Sequence, residues 1–159
     1  MKKNILTVLL ATMASVQAGA VDITNPDMIW DGEKIADKIA AYPDTKKIYI
    51  YTPDQFVALR RFWDDYENGD QGYKGWTIYL MNDIDLNNHN FNDYTLGWND
   101  DHKFGGDFDG MGHTIKNLKI EGNDNNRGLF GKLDNGKVMN LCDRSLKSEV
   151  PCGSCLNWR

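Results

Sequence analysis

Two short stretches, "HTIKNLKI" at 113–120 and "GKVMNLCD" at 136–143, share a pattern whose matched positions all lie 23 residues apart. Ile115 aligns with Val138, Asn117 with Asn140, and Leu118 with Leu141. A recurrence of that length marks a stacked array, in which one unit cannot bury its apolar side alone and the next unit covers it. The glycines of "FGGDFDGMGHTIKNLKIEG" (104–122) then mark corners between short strands. On this alignment Asn117 is expected to lie over Asn140, in a ladder of amides that satisfy one another. The same glycines make a poor phosphate cradle, because they lack a P-loop lysine and stand beside aspartates that repel phosphate.

The segments before the repeat read as strands and one strong helix. "KKIYIY" alternates Ile48 and Ile50 against Tyr49, the period of a half-buried strand. Thr52 is a good N-cap, Pro53 suits the first helical turn, and Gln55 has capping-box spacing. Phe56, Leu59, Phe62, Trp63 and Tyr66 then follow helical spacing, so 52–68 is expected to be an amphipathic helix ended by Gly69, Gly72 and Gly75. In "WTIYLMNDIDL", Ile78, Leu80, Asn82, Ile84 and Leu86 share one parity, which predicts a single strand with Asn82 pointing inward and needing a partner. Residues 32–41 have the spacing of a short helix with Ile35 and Ile39 on one face, stopped by Pro43.

The ends of the chain differ from its middle. Lys2 and Lys3, the apolar run "ILTVLLATMA", and Ala18 and Ala20 at cleavage-site spacing make 1–20 a secretory signal peptide, and the run is too short for a bilayer span. Its removal takes the formal charge from −5 to −7, with 16 basic residues facing 23 acidic ones. An acidic exported domain without a basic stripe gives no reason to expect nucleic acid as a partner. Cys142, Cys152 and Cys155 sit in the last eighteen residues, an odd number without a second pair for zinc, and 142–159 reads as an irregular tail. The organisation expected is therefore a signal at 1–20, an N-terminal segment at 21–45 with its short helix, and a repeat unit at 46–141.

The ordered run from "IYIYTPDQFVALRRF" through "WTIYLMNDIDL" and "FGGDFDGMGHTIKNLKI" to "GLFGKL" and "GKVMNL" resembles the GLUG-motif proteins of bacterial surfaces. Such repeats also precede the catalytic part of secreted IgA-cleaving metallopeptidases. The resemblance covers about two thirds of the chain beyond the signal and implies a mainly β fold. That fold would be a short right-handed parallel β-helix with 52–68 as its N-terminal capping helix, and a role in adhesion without catalysis. Its repeat positions here are Phe108, Gly110, Ile115, Asn117, Leu118, Gly128, Leu129, Phe130, Gly131, Val138, Asn140 and Leu141. The pattern is lost at "CDRSLKSEVPCGSCLNWR", which leaves about two repeats where an array needs about three. The chain is therefore read as either a product of this length or a fragment of a longer surface protein.

No complete catalytic constellation is visible. His-Glu-x-x-His is absent, and His89, His102 and His113 are scattered. "DIDLNN" begins like a calcium loop but has Asn88 and Tyr94 where the glycine and glutamate belong. Asp83, Asp85, Asp107 and Asp109 are the carboxylates a polysaccharide hydrolase or lyase would use, and such an enzyme, or its inactive remnant, is the alternative function. Phe91, Tyr94 and Trp98, set among Asn, Asp and His, are the candidate ligand-binding residues, since sugar rings and protein surfaces both pack on such faces. The expectation is an exported, cell-surface or periplasmic module that binds a glycan or an extracellular protein. It would have no cofactor, metal, nucleic acid or membrane span, and its open strand edges would allow self-association.

Overall fold

Alternation of apolar and polar residues places Ile48 and Ile50 wholly inside and Tyr49 outside in strand β2 (Lys47–Ile50). The same parity buries Ile78 and Leu80 in β3 (Thr77–Leu80), Phe108 in β5 (Asp107–Asp109), and Val138 in β7 (Lys137–Asp143). These four strands pair in parallel, so that Lys47, Thr77, Asp107 and Lys137 lie side by side at intervals of 30 residues. Ile48, Ile78, Phe108 and Val138 therefore form one continuous inward row. Each such side chain stabilises the fold by about 1.5–3 kcal/mol on burial.

The computed structural model describes residues 24–65, 72–122, 125–143 and 156–158. The proposed signal peptide, Tyr66, Cys152 and Cys155 lie outside the described residues, as does the side chain of Trp63. The described chain is mainly β, with one open, strongly curled, mostly parallel sheet and a single α-helix. The remaining strands are β1 (Ala40–Tyr42), β4 (Ile84–Asp85), β6 (Thr114–Lys116) and β8 (Leu156–Trp158). Seven strands follow the path β1-β2-β3-β5-β7-β6-β4, and β8 pairs with β7 beside that path. Long β7 joins the two halves, since Lys137–Met139 lie against β5 while Cys142 and Asp143 lie against β6. A third group of parallel contacts, Asn90 with Lys119, Leu96 with Phe130, and Phe104 with Leu133, continues the curl.

Both ends of the main row are covered by antiparallel partners. Strand β1 pairs with β2, and β8 pairs with β7. Thus 156–158 is a strand, where the sequence suggested irregular tail throughout 142–159, and Cys142 belongs to β7. The edge of β2 is closed by β1 rather than by the helix.

Helix α1 (Pro53–Asp65) has the expected cap. The Thr52 hydroxyl accepts from the Gln55 N–H at 3.3 Å, and the Gln55 side chain accepts from the Tyr51 N–H at 2.7 Å. This is the reciprocal satisfaction of orphan donors that starts a helix, displaced by one residue on the return bond. Phe56, Val57, Ala58 and Leu59 are buried, and Phe62 packs on the core edge. The Phe56 ring lies 5.8 Å from Phe91 and 6.0 Å from Phe108, so the helix covers core side chains. The Tyr73 hydroxyl donates to the Leu59 carbonyl at 2.5 Å and pins the following segment under the helix.

Three expectations need correction. Residues 32–39 form no helix, because the Asp31 carboxylate accepts from the N–H groups of Lys34 (2.6 Å) and Glu33 (3.1 Å) and closes a turn instead. These bonds, the Lys34 one foremost, hold the Asp31 carboxyl below its ordinary pKa. Ile35 and Ile39 still reach the core edge. "WTIYLMNDIDL" is two strands, β3 and β4, separated by a corner at 81–83, and the even parity survives because three residues make that corner. Asn82 sits at this corner, half-buried, and donates to the Tyr51 carbonyl at 2.8 Å.

The third correction is to the repeat itself. Ile115 lies between Ile84 and Asp143, whereas Val138 lies beside Phe108 and Trp158. The 23-residue match therefore superposes two different corners of the curl. Asn117 and Asn140 resemble each other because each occupies a corner in the left-handed region, at φ 54° and φ 52°, and not because one stacks on the other.

Leu59→Asp should leave the protein unfolded or aggregated, while Arg61→Asp, at an exposed position of the same helix, should melt as the parent does. Thermal unfolding followed by circular dichroism distinguishes them, and a soluble Leu59→Asp protein with unchanged melting would contradict the covering role of α1.

Candidate functional site

The three aromatic residues expected to meet a ligand are used inside the chain. Phe91 is fully buried and stacks on Phe56. Tyr94 meets Trp30 edge-on at 5.2 Å and leans on Phe91 at 5.7 Å. Trp98, half-buried, stacks with His102 at 4.2 Å, and the Arg60 guanidinium carbon lies 3.2 Å from its ring centre. The ring thus ties its loop to helix α1 through a cation–π contact. Asn99 organises that loop by accepting from the N–H groups of Asp101 (3.0 Å) and His102 (2.8 Å), and its oxygen lies 2.8 Å from His102 Nδ1. Before it, Gly97 has φ 78°, and a Cβ there would collide with the Lys132 carbonyl oxygen. Sequence reasoning identified an aromatic loop but could not see that its rings point at Trp30, Arg60 and His102.

The four candidate catalytic carboxylates are likewise committed. Asp85 accepts from the Asn87 N–H at 2.7 Å and the Asn117 amide at 2.8 Å. Asp109 repeats the arrangement, accepting from the Met111 N–H at 2.9 Å and the Asn140 amide at 3.0 Å. Asp83 accepts from the Thr114 N–H at 2.9 Å and lies 3.2 Å from His113 Nδ1. Asp107 pairs with Lys137 at 3.4 Å. In each case a group from the neighbouring row, about 30 residues later, meets an acid of the row before. These carboxylates fasten rows together.

The remaining repeat positions are also structural. Leu129 is buried, and Phe130 packs 5.2 Å from both Phe104 and Phe108. Gly131 donates its N–H to the Leu96 carbonyl at 2.8 Å, and Leu118 packs on the core edge. Gly110 donates to the Met139 carbonyl at 2.8 Å, and a Cβ there would strike Asn140 and Leu141. Among the described residues, no three His, Cys, Asp or Glu side chains converge as a metal site would need, and no helix is long and apolar enough to cross a membrane.

The outward side of the main row is what sequence reasoning missed. Tyr49 and Tyr79, neighbours in register, stack at 5.3 Å with ring planes 16° apart. Tyr42 of β1 meets Tyr49 edge-on at 5.6 Å. The signal for this ladder was the 30-residue interval from 49 to 79, which the 23-residue alignment concealed.

Gly97→Ala should destabilise the protein and alter Trp98 fluorescence, because the loop cannot keep both its φ and its approach to Lys132. The Asp100 carboxyl, bonded to the Lys132 ammonium, is held below its ordinary pKa chiefly by that bond. A lowered carboxylate pKa contributes stability above the unfolded value and loses it as pH falls. Side-chain NMR titration should therefore find Asp100 titrating below ordinary aspartates, with the difference abolished in Lys132→Ala.

Comparison with protein-family models, curated proteins and solved structures finds no match for this chain.

Proposed function

We propose that this chain is an exported, non-catalytic binding module of the surface-protein type, built as a short right-handed parallel β-helix with β1 closing its first edge and α1 packed over its core. The 30-residue registers along the main row support that architecture, as do the parallel contacts of Ile84 with Ile115 and Leu96 with Phe130. Kinship with GLUG-motif proteins rests on the quoted motifs, and export to the cell surface, periplasm or medium rests on the first twenty residues. The ligand class is a glycan or an extracellular protein. Among the described residues, self-association through strand edges would use the outer sides of β1 and β8, each three residues long, or that of β4, which meets only the bridge from Ile29.

One observation carries the functional reading: the carboxylates that a glycosidase or lyase would need are spent as acceptors between rows. A general acid or nucleophile must meet substrate, and these oxygens meet the protein's own amides and ammonium.

Incubation with a panel of polysaccharides should release no new reducing ends above buffer. Asp85→Ala should lower stability by about 1–3 kcal/mol in chemical denaturation, since it strips two donors of a charged acceptor. Turnover by the parent that Asp83→Asn or Asp85→Asn abolishes would overturn the reading.

A further inference from the structure

The outer side of the main row carries four tyrosines, Tyr42, Tyr49, Tyr51 and Tyr79, on or beside β1, β2 and β3. Tyr42 and Tyr51 are 55% and 43% exposed, and Met111, which follows Asp109 of the same side, is 51% exposed. None of the four phenol hydroxyls has a hydrogen-bond partner among the described residues. On the same side Lys137 is paired with Asp107 and the Asn140 amide with Asp109, so the phenol hydroxyls are among the groups left for something else.

Charge on this side is balanced. Lys137 pairs with Asp107, Asp109 is held by Asn140, and Lys47 at the other end of the row adds a positive charge, within a chain of net charge −5. A polyanion would be repelled by the chain as a whole, and a polycation would find no surplus of acid here. A phenol combines an apolar plate with a hydroxyl, which matches the apolar face and hydroxyl rim of an uncharged sugar. Tyr42, turned 82° from Tyr49 and the most exposed of the set, keeps ring surface open for stacking, while Tyr49 and Tyr79 use theirs on each other and offer their edges. Tyr49 and Tyr79 stand side by side on adjacent rows, about 4.8 Å apart across the sheet, with Tyr42 on the next strand, so the phenols extend across several rows rather than along one. The three strands that carry the tyrosines, three or four residues each, cover roughly 13 by 14 Å. That is well short of the ~800 Å² per side of an ordinary protein interface.

We infer that this tyrosine face, with Tyr42 as stacking platform and the hydroxyls of Tyr49, Tyr51 and Tyr79 as hydrogen-bonding groups, binds a strand of neutral polysaccharide. The inference rests on the binding-module reading above and names its site and ligand class.

Affinity electrophoresis of the purified protein tests it, in gels containing hydroxyethylcellulose, xyloglucan or galactomannan, with polygalacturonate as the acidic comparison. At least one neutral polymer should retard the protein. Tyr42→Ala should bind about tenfold more weakly, with melting unchanged because the ring is exposed. Tyr79→Phe should weaken binding less, through loss of one hydroxyl. Retardation by polygalacturonate alone, retardation by none of the polymers, or variants that bind as the parent does would each overturn the inference. A concentration-dependent dimer, abolished by Tyr42→Ala in sedimentation and unaccompanied by retardation, would overturn it in favour of a second copy of the chain. Shortening of a retarding polymer would count instead against the non-catalytic reading, and it is scored separately by reducing ends.

Discussion

An asparagine held in the left-handed region, with its amide fastened to the row before, is what allows a parallel sheet to bend twice within a dozen residues. Asn117 does this with Asp85, and Asn140 does it with Asp109. Left-handed backbone is costly for most side chains, but asparagine tolerates it and can hydrogen-bond locally. At a corner the ladder of backbone bonds is interrupted, so donors and acceptors there would otherwise be left over. The Asn–Asp contact replaces a ladder bond with a charge-assisted one worth more than a neutral bond. Asn88 and Gly112 continue the ladder on either side, by donating to the carbonyls of Asn117 and Asn140.

From that constraint follows the division of labour between acids and aromatics. Even-numbered positions of β2, β3, β5 and β7 fill the inside with Ile48, Ile78, Phe108 and Val138. The acids fall at strand ends, next to corners, where their oxygens meet amides of the following row. Phe91, Tyr94 and Trp98 lie on the far side of the curl and are drawn in by α1, whose Phe56 and Arg60 need partners. The helix thus turns a loop rich in aromatics into core and core margin.

How much of this was legible depends on the length scale of the signal. Two-residue alternation correctly assigned the inward side of β2 and the burial of Ile78, Leu80, Ile84 and Leu86, because parity is set by the pleat alone. Capping chemistry located the start of α1 at Thr52 for the same local reason. The spacing between rows was not legible. The Ile-x-Asn-Leu and Val-x-Asn-Leu matches record a shared corner requirement, which different corners satisfy equally, so similarity pointed to 23 residues while backbone pairing runs at 30. The helix expected over 32–41 failed because one acid, Asp31, offered nearby N–H groups a better partner than a helix could. Of the site, the sequence supplied the residue types, and only the register brought Tyr49 beside Tyr79.

Strands this short impose a last condition on any surface site. Each row of three or four residues presents one or two outward side chains, too few to hold a ligand alone. A site must therefore be assembled across rows, and its geometry is only as good as their register. Register in turn depends on the corners and on the inward row, since a slip of one residue would turn Ile78 outward and Tyr79 inward. The arrangement of this face is accordingly coupled to the Asn–Asp corners several residues away. Those contacts set where each strand ends, and so which outward residues stand side by side.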